Sequence, residues 1–124
     1  MVQYPEMRAQ ILETLRALAD PEHQRQVWVE HRPPRPGYYD DLDLNISVLF
    51  DDTIIAEDPC AHIGKTLHNE NEAQAVQALV DVLDPFIESL PRGTDDATAI
   101  SMPAWRDVVE AARRAVTVLE RTSG

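Results

Sequence analysis

The sequence is poor in the residues that most often carry chemistry. It has one cysteine, Cys60, so no intramolecular disulfide framework can form. A lone thiol fits a reducing compartment, and a cytoplasmic localisation is expected. Four glycines in 124 residues are too few to favour phosphate-cradling loops. No apolar run approaches the ~18 residues of a membrane span. The segment MVQYPEMRAQ has no basic region followed by an apolar one, so no signal peptide is expected. Cations are scarce: eleven bases face twenty-two acids, for a net charge of −11, and Lys65 is the single lysine. Phosphate binding needs clustered cations. Nucleic acid and an anionic membrane surface are therefore not expected as partners. GxSxG, HExxH, a phosphate-binding glycine loop and a dinucleotide fingerprint are all absent. No catalytic residue and no cofactor is assigned.

Acids are what the sequence has in excess, and they are unevenly placed. Tyr38–Asp58 holds seven of them (Asp40, Asp41, Asp43, Asp51, Asp52, Glu57 and Asp58) and no base. The remaining fifteen acids face all eleven bases. Localised charge of one sign can steer an oppositely charged partner.

The rest reads as one soluble domain, with 44 % hydrophobic and 27 % charged residues. Met7, Ile11, Leu15 and Leu18 recur at helical spacing, with Tyr4 extending the stripe, and predict a helix over 5–19. Asp20 followed by Pro21 predicts a second helix to about Glu30, burying Val27 and Trp28. Residues 30–39 are a proline-rich connector. Within it, Pro33 to Pro36 match a PxxP pattern, which one short match does not raise above a connector.

Residues 40–53 fit two templates. Leu42, Leu44, Ile46, Val48 and Phe50 alternate as in a half-buried strand. At 100° per residue, Leu42, Ile46, Leu49, Phe50 and Thr53 instead share one helical side. Helix is preferred. A strand needs a partner, and only Thr53–Ala56 and Ala97–Ile100 offer one. Leu44 and Val48 then fall on the acidic side.

Further on, a short helix is expected over Pro59–Leu67, carrying Cys60, Ile63 and Leu67. A long helix should follow, capped by Asn69 or Asn71 and running to about Leu90, with a kink or break at Asp84-Pro85. Residues 91–100 read as a polar linker, and Ser101 as the cap of the last helix, with Pro103 in its first turn. Trp105, Val108, Val109, Ala112, Val116 and Leu119 would be its buried face. The expected fold is all-α, a single-domain bundle of about five or six helices. Its core would be helix one, the long helix and the last helix.

Two metal readings arise. Cys60, His62 and His68 lack the paired spacing of a structural zinc site. Asp41, Asp43, Asp51 and Asp52 supply the oxygen ligands that suit Mg²⁺ or Mn²⁺, so a metal-dependent hydrolase is an alternative function. They do not match an EF-hand loop.

The segments ADPEHQRQVWVE (Ala19–Glu30), DDLDLNISVLFDDT, IGKTL (Ile63–Leu67) and EAQAVQALVDVLDP (Glu72–Pro85) resemble a group of small, acidic, uncharacterised actinobacterial proteins. The resemblance implies a helical 40–52 segment and a cytoplasmic setting, and no activity. Size and charge also resemble those of bacterial immunity proteins, as a class.

The leading expectation is a non-enzymatic acidic protein that docks a basic protein partner, such as an inhibitor or immunity protein. Its partner-binding residues would be Tyr38, Tyr39, Asp40, Asp41, Asp43, Leu44, Val48, Asp51 and Asp52. Tyrosines are common interface anchors, and Leu44 and Val48 would form an apolar centre inside an acidic rim. The competing reading is a solvated charged face. A homodimeric regulatory or scaffold subunit is a third.

Overall fold

Asp20 ends one helix and begins the next. Its backbone N–H closes α1 (Pro5–Ala19) on the Ala17 carbonyl, while its carboxylate accepts from the N–H groups of Glu22 and His23 at 3.1 and 3.2 Å. That is the capping role expected of Asp before Pro. α2 (Pro21–His23) then widens into a π-helical segment, Gln24–Val29, which buries Gln24, Val27 and Trp28. The computed structural model describes residues 2–123. Among these residues there are six α-helices and no strand, so the fold is all-α.

The 40–53 segment is helical. Asp41 caps α3 (Leu42–Ser47), which continues as a π-helical turn, Val48–Asp52. Leu42, Leu49 and Thr53 are buried, and Ile46 and Phe50 pack half-buried beside them. The helical period therefore prevails over the alternating one. The Thr53 hydroxyl donates to the Val48 carbonyl at 2.6 Å and stops the helix. Ile54 follows with φ +52°. A β-branched residue there costs about 1–2 kcal/mol. The turn is held because Ala56 N–H reaches the Leu49 carbonyl and Ile55 fills the core.

Three sequence expectations are corrected. Pro59–His62 is a single 3₁₀ turn, not the start of a helix to Leu67. It buries Pro59 and His62, and leaves Cys60 and Ile63 exposed. Gly64, at φ +89°, turns the chain there. α4 (Glu70–Ser89), capped by Asn69, runs through Pro85 without a break. Asp81, whose carbonyl loses its bond to the proline, is exposed to water. The 91–100 linker contains a helix, α5 (Asp96–Ser101), capped by Asp95. Pro103 has no N–H to extend it, so α6 starts afresh and runs Trp105–Ser123.

α6 packs against both α1 and α4, and these three helices form most of one hydrophobic cluster. On α6 the buried face is Trp105, Val108, Val109, Ala112, Ala115 and Leu119, while Val116 is half-buried. α3 and its π-helical turn lie on the other side of α1, and this placement creates the groove described next.

Candidate functional site: an acidic groove between α1 and α3

α1 and α3 leave a groove of about 300 Å³ between them. One wall is α3 with its continuation, carrying Leu44, Val48 and Asp52. The opposite wall is α1, with Glu13, Thr14 and Ala17, and Tyr38 and Asp40 close one end. No lysine or arginine lines it. Leu44 is 45 % exposed although it is apolar, because it sits on the side of α3 turned away from the core.

Five of the nine expected residues thus meet at one place: Tyr38, Asp40, Leu44, Val48 and Asp52. Tyr39 projects nearby, 62 % exposed. Asp43 and Asp51 are exposed outside the lining.

Two of the acids are not rim charges. Asp40 is a hydrogen-bond hub. It accepts from Trp28 Nε1–H at 2.7 Å and from the Asn45 amide at 2.9 Å, and it lies 2.8 Å from His23 Nε2. Three elements are joined there. Asp41 is a helix cap, accepting from Leu44 N–H at 2.8 Å while the Tyr39 hydroxyl donates to its other oxygen. Asp43, Asp51 and Asp52 make no hydrogen bond or ion pair. Asp51 and Asp52 also sit at the C-terminal end of a helix, where the dipole disfavours anions.

Tyr38 is held between Arg35, whose guanidinium lies 4.8 Å from the ring centre, and the edge of His23. Burial, with Asp40 and Glu13 close by, pushes its hydroxyl pKa up, so the hydroxyl keeps its proton. Tyr39 is pushed the same way by its hydrogen bond to Asp41.

An acid from elsewhere joins the cluster. Asp96, at the start of α5, accepts from Leu42 N–H at 3.1 Å. Burial pushes its carboxyl pKa up, opposed by that bond and reinforced by the charges of Asp41, Asp43 and Asp95. A carboxyl with a raised folded pKa weakens the fold once it ionises. Asp96→Asn should therefore raise the unfolding midpoint at pH 7. The gain should vanish below the unfolded carboxyl's pKa, where both forms are neutral. Partial exposure screens the effect, so it stays under about 1 kcal/mol. Thermal unfolding at pH 7 and pH 3 checks this, and a lower midpoint at pH 7 would show that the Leu42 contact needs the charge.

The metal readings find no assembled ligand set. Asp41 and Asp43 lie near the first turn of the helix, and Asp51 and Asp52 near the last, roughly 15 Å apart. Among the described residues no group of three or more His, Cys, Asp or Glu could hold a metal ion. His62 is buried, with Nδ1 2.9 Å from Thr66 Oγ1. Burial, aided by Lys65 and opposed by Asp58, lowers its pKa and favours the neutral ring.

Sequence reasoning missed the α1 wall. Gln10, Glu13 and Ala17 recur at helical spacing, but a stripe so small and mixed carries no signal of its own. The dual use of Asp40 was equally hidden, since its partners come from three segments.

Among the described residues no helix is long and apolar enough to cross a membrane. No curated protein and no solved structure matches the chain. A family model described as "Domain of unknown function (DUF7945)" matches residues 2–124, and the chain belongs to that family.

Proposed function

We propose that this is a non-enzymatic binding protein that docks a basic protein partner in the α1–α3 groove. The observation that carries the reading is the groove itself. It pairs an apolar centre, Leu44 and Val48, with the acids Glu13 and Asp52, and no base lines it. Charged rims around a drier centre are the usual anatomy of an interface. Asp51 and Asp52 strengthen the argument, because they are unpaired at the end of a helix where they oppose the dipole. Tyr39, exposed beside Tyr38 but outside the groove lining, is a further candidate anchor. In its narrowest form, in line with the resemblance to immunity proteins, the partner is a basic enzyme or toxin and docking inhibits it.

Asp40 and Asp41 are poor choices for a charge-reversal test, since both support the fold. Asp51→Lys with Asp52→Lys breaks no side-chain hydrogen bond or ion pair, and lysine suits that end of the helix. Once a partner has been captured from the native host, stopped-flow association at low salt provides the test. The double variant should associate about tenfold more slowly and with a weaker salt dependence. Equal rates for variant and wild type would remove this face as the docking surface. Loss of the partner's own activity on binding would mark the protein as its inhibitor.

A further inference from the structure

A second groove, of about 430 Å³, runs between α4 and α6 and has the opposite character. Arg114, Val118 and Arg121 line one side, and Gln74, Ala75 and Ala78 the other. No acid lines it, although the Gln74 amide donates at 3.3 Å to Glu70 beside it. Arg8, Arg16, Arg25, Arg32 and Arg113 all hold carboxylates. Arg114 and Arg121 hold none among the described residues. Their spacing, with Val118 between, puts all three on one stripe of α6, the arginines about 10 Å apart along the axis.

The stripe on α3 repeats this order with the sign reversed. Along α3 and its continuation the capping Asp41 precedes Leu44 and Val48 and the unpaired Asp51 and Asp52 follow them, with Asp43 and Asp51 outside the groove lining. Both stripes flank an apolar centre with charge. Arginine is well suited to the carboxylates, because its planar fork takes them in pairs.

We propose that the α4–α6 groove of one copy docks on the acidic α3 stripe of a second copy. This rests on the reading above, that the α3 face docks a cationic protein surface, and it names that surface. The two stripes belong to different elements, so the contact is heterologous: it closes into a ring or grows head to tail. The net charge of −11 opposes any self-association over long range. Association should therefore be strongest near 0.15 M salt, where the Debye length is about 8 Å and only contacting charges still feel each other.

Sedimentation velocity of the full chain, from micromolar to millimolar, tests the proposal. Wild type should form reversible oligomers at about 0.15 M salt and dissociate at about 1 M. Arg114→Glu with Arg121→Glu should weaken association at least about tenfold, as should Asp51→Lys with Asp52→Lys. Mixing the two double variants should restore it, since each supplies the face the other has lost. Circular dichroism of each variant checks that the fold is kept. A wild type that stays monomeric throughout overturns self-docking. So does association that survives in either variant, or a mixture that stays apart. None of these results touches the basic-partner reading, which is decided separately by the partner's association rate.

Discussion

Trp105→Ala should lower the free energy of unfolding by about 3–5 kcal/mol. The ring is 3 % exposed and is the first residue of α6. It packs edge-on to Trp28 at 6.1 Å and tilted against Phe86 at 5.3 Å, so its loss leaves a cavity among three elements. It also leaves a polar group unpaired. Trp105 Nε1–H donates at 2.9 Å to the side-chain oxygen of Gln24, which is itself buried. The Gln24 amide in turn donates to the Ala17 and Leu18 carbonyls at the end of α1. One indole therefore connects α6, the π-helical segment after α2 and the end of α1. Trp105→Phe keeps most of the packing and removes the donor. It should cost less than the alanine change, with about 1–3 kcal/mol from the stranded Gln24 oxygen. Urea denaturation followed by circular dichroism measures both. An alanine variant within about 1 kcal/mol of wild type would show that the ring is peripheral.

The helices with one wide apolar stripe were legible in the sequence. α1, α4 and α6 declare themselves through Ile11–Leu15–Leu18, Val76–Leu79–Leu83 and Trp105–Val108–Ala112, and these are the residues that the core buries. Caps were legible too, at Asp20 and Asn69, because a short polar side chain before a helical period has few other uses. Prolines misled in both directions. Pro85 looked like a break, yet it lies on an exposed side of α4 where water can satisfy the freed carbonyl. Pro103 looked like a first-turn residue, yet it ends α5 and forces a new start at Trp105. α5 itself was invisible, because six residues with only Ala99 buried carry no period.

The candidate site was half legible. The acid-rich stretch and the outward side of α3 follow from sequence, since the helical period leaves Leu44 and Val48 with the acids. Which acids are free does not follow. Asp40 and Asp52 look alike in sequence, but one bonds Trp28 and Asn45 and the other bonds nothing. That difference is tertiary. So is the approach of Asp96 to Asp41 and Asp43, across more than fifty residues of chain.

Glu72→Gln should cost a comparable 3–5 kcal/mol at pH 7, with a characteristic dependence on pH. Glu72 is fully buried and Arg8 only 7 % exposed. The two form a two-pronged ion pair, Arg8 Nη1 and Nη2 donating to the two carboxylate oxygens at 2.8 and 2.9 Å. Arg8 also donates to the Thr66 and Leu119 carbonyls, and Glu72 accepts from His68 N–H at 2.7 Å. The pair thus ties α1, the loop before α4, α4 and the end of α6. Nothing in the sequence pointed to it, since both residues look like ordinary surface charges of their helices. Removing one partner strands a buried charge, which is why the cost is large. Arg8→Met with Glu72→Met strands none and should recover much of the loss. The pH dependence follows from the carboxyl. Burial pushes its pKa up, but the bonds from Arg8 and His68 and the charge of Arg8 outweigh burial and hold it below the usual range. A depressed folded pKa means that the carboxylate stabilises the fold fully above the unfolded value, about 4.3. That contribution is lost as pH falls through the folded value. Wild type should therefore lose stability below about pH 4.3, and the gap to Glu72→Gln should narrow as it does. Urea midpoints from pH 7 to pH 2 measure both curves. Parallel curves, or a Glu72→Gln variant as stable as wild type at pH 7, would show that the carboxylate's charge does not hold these four segments together.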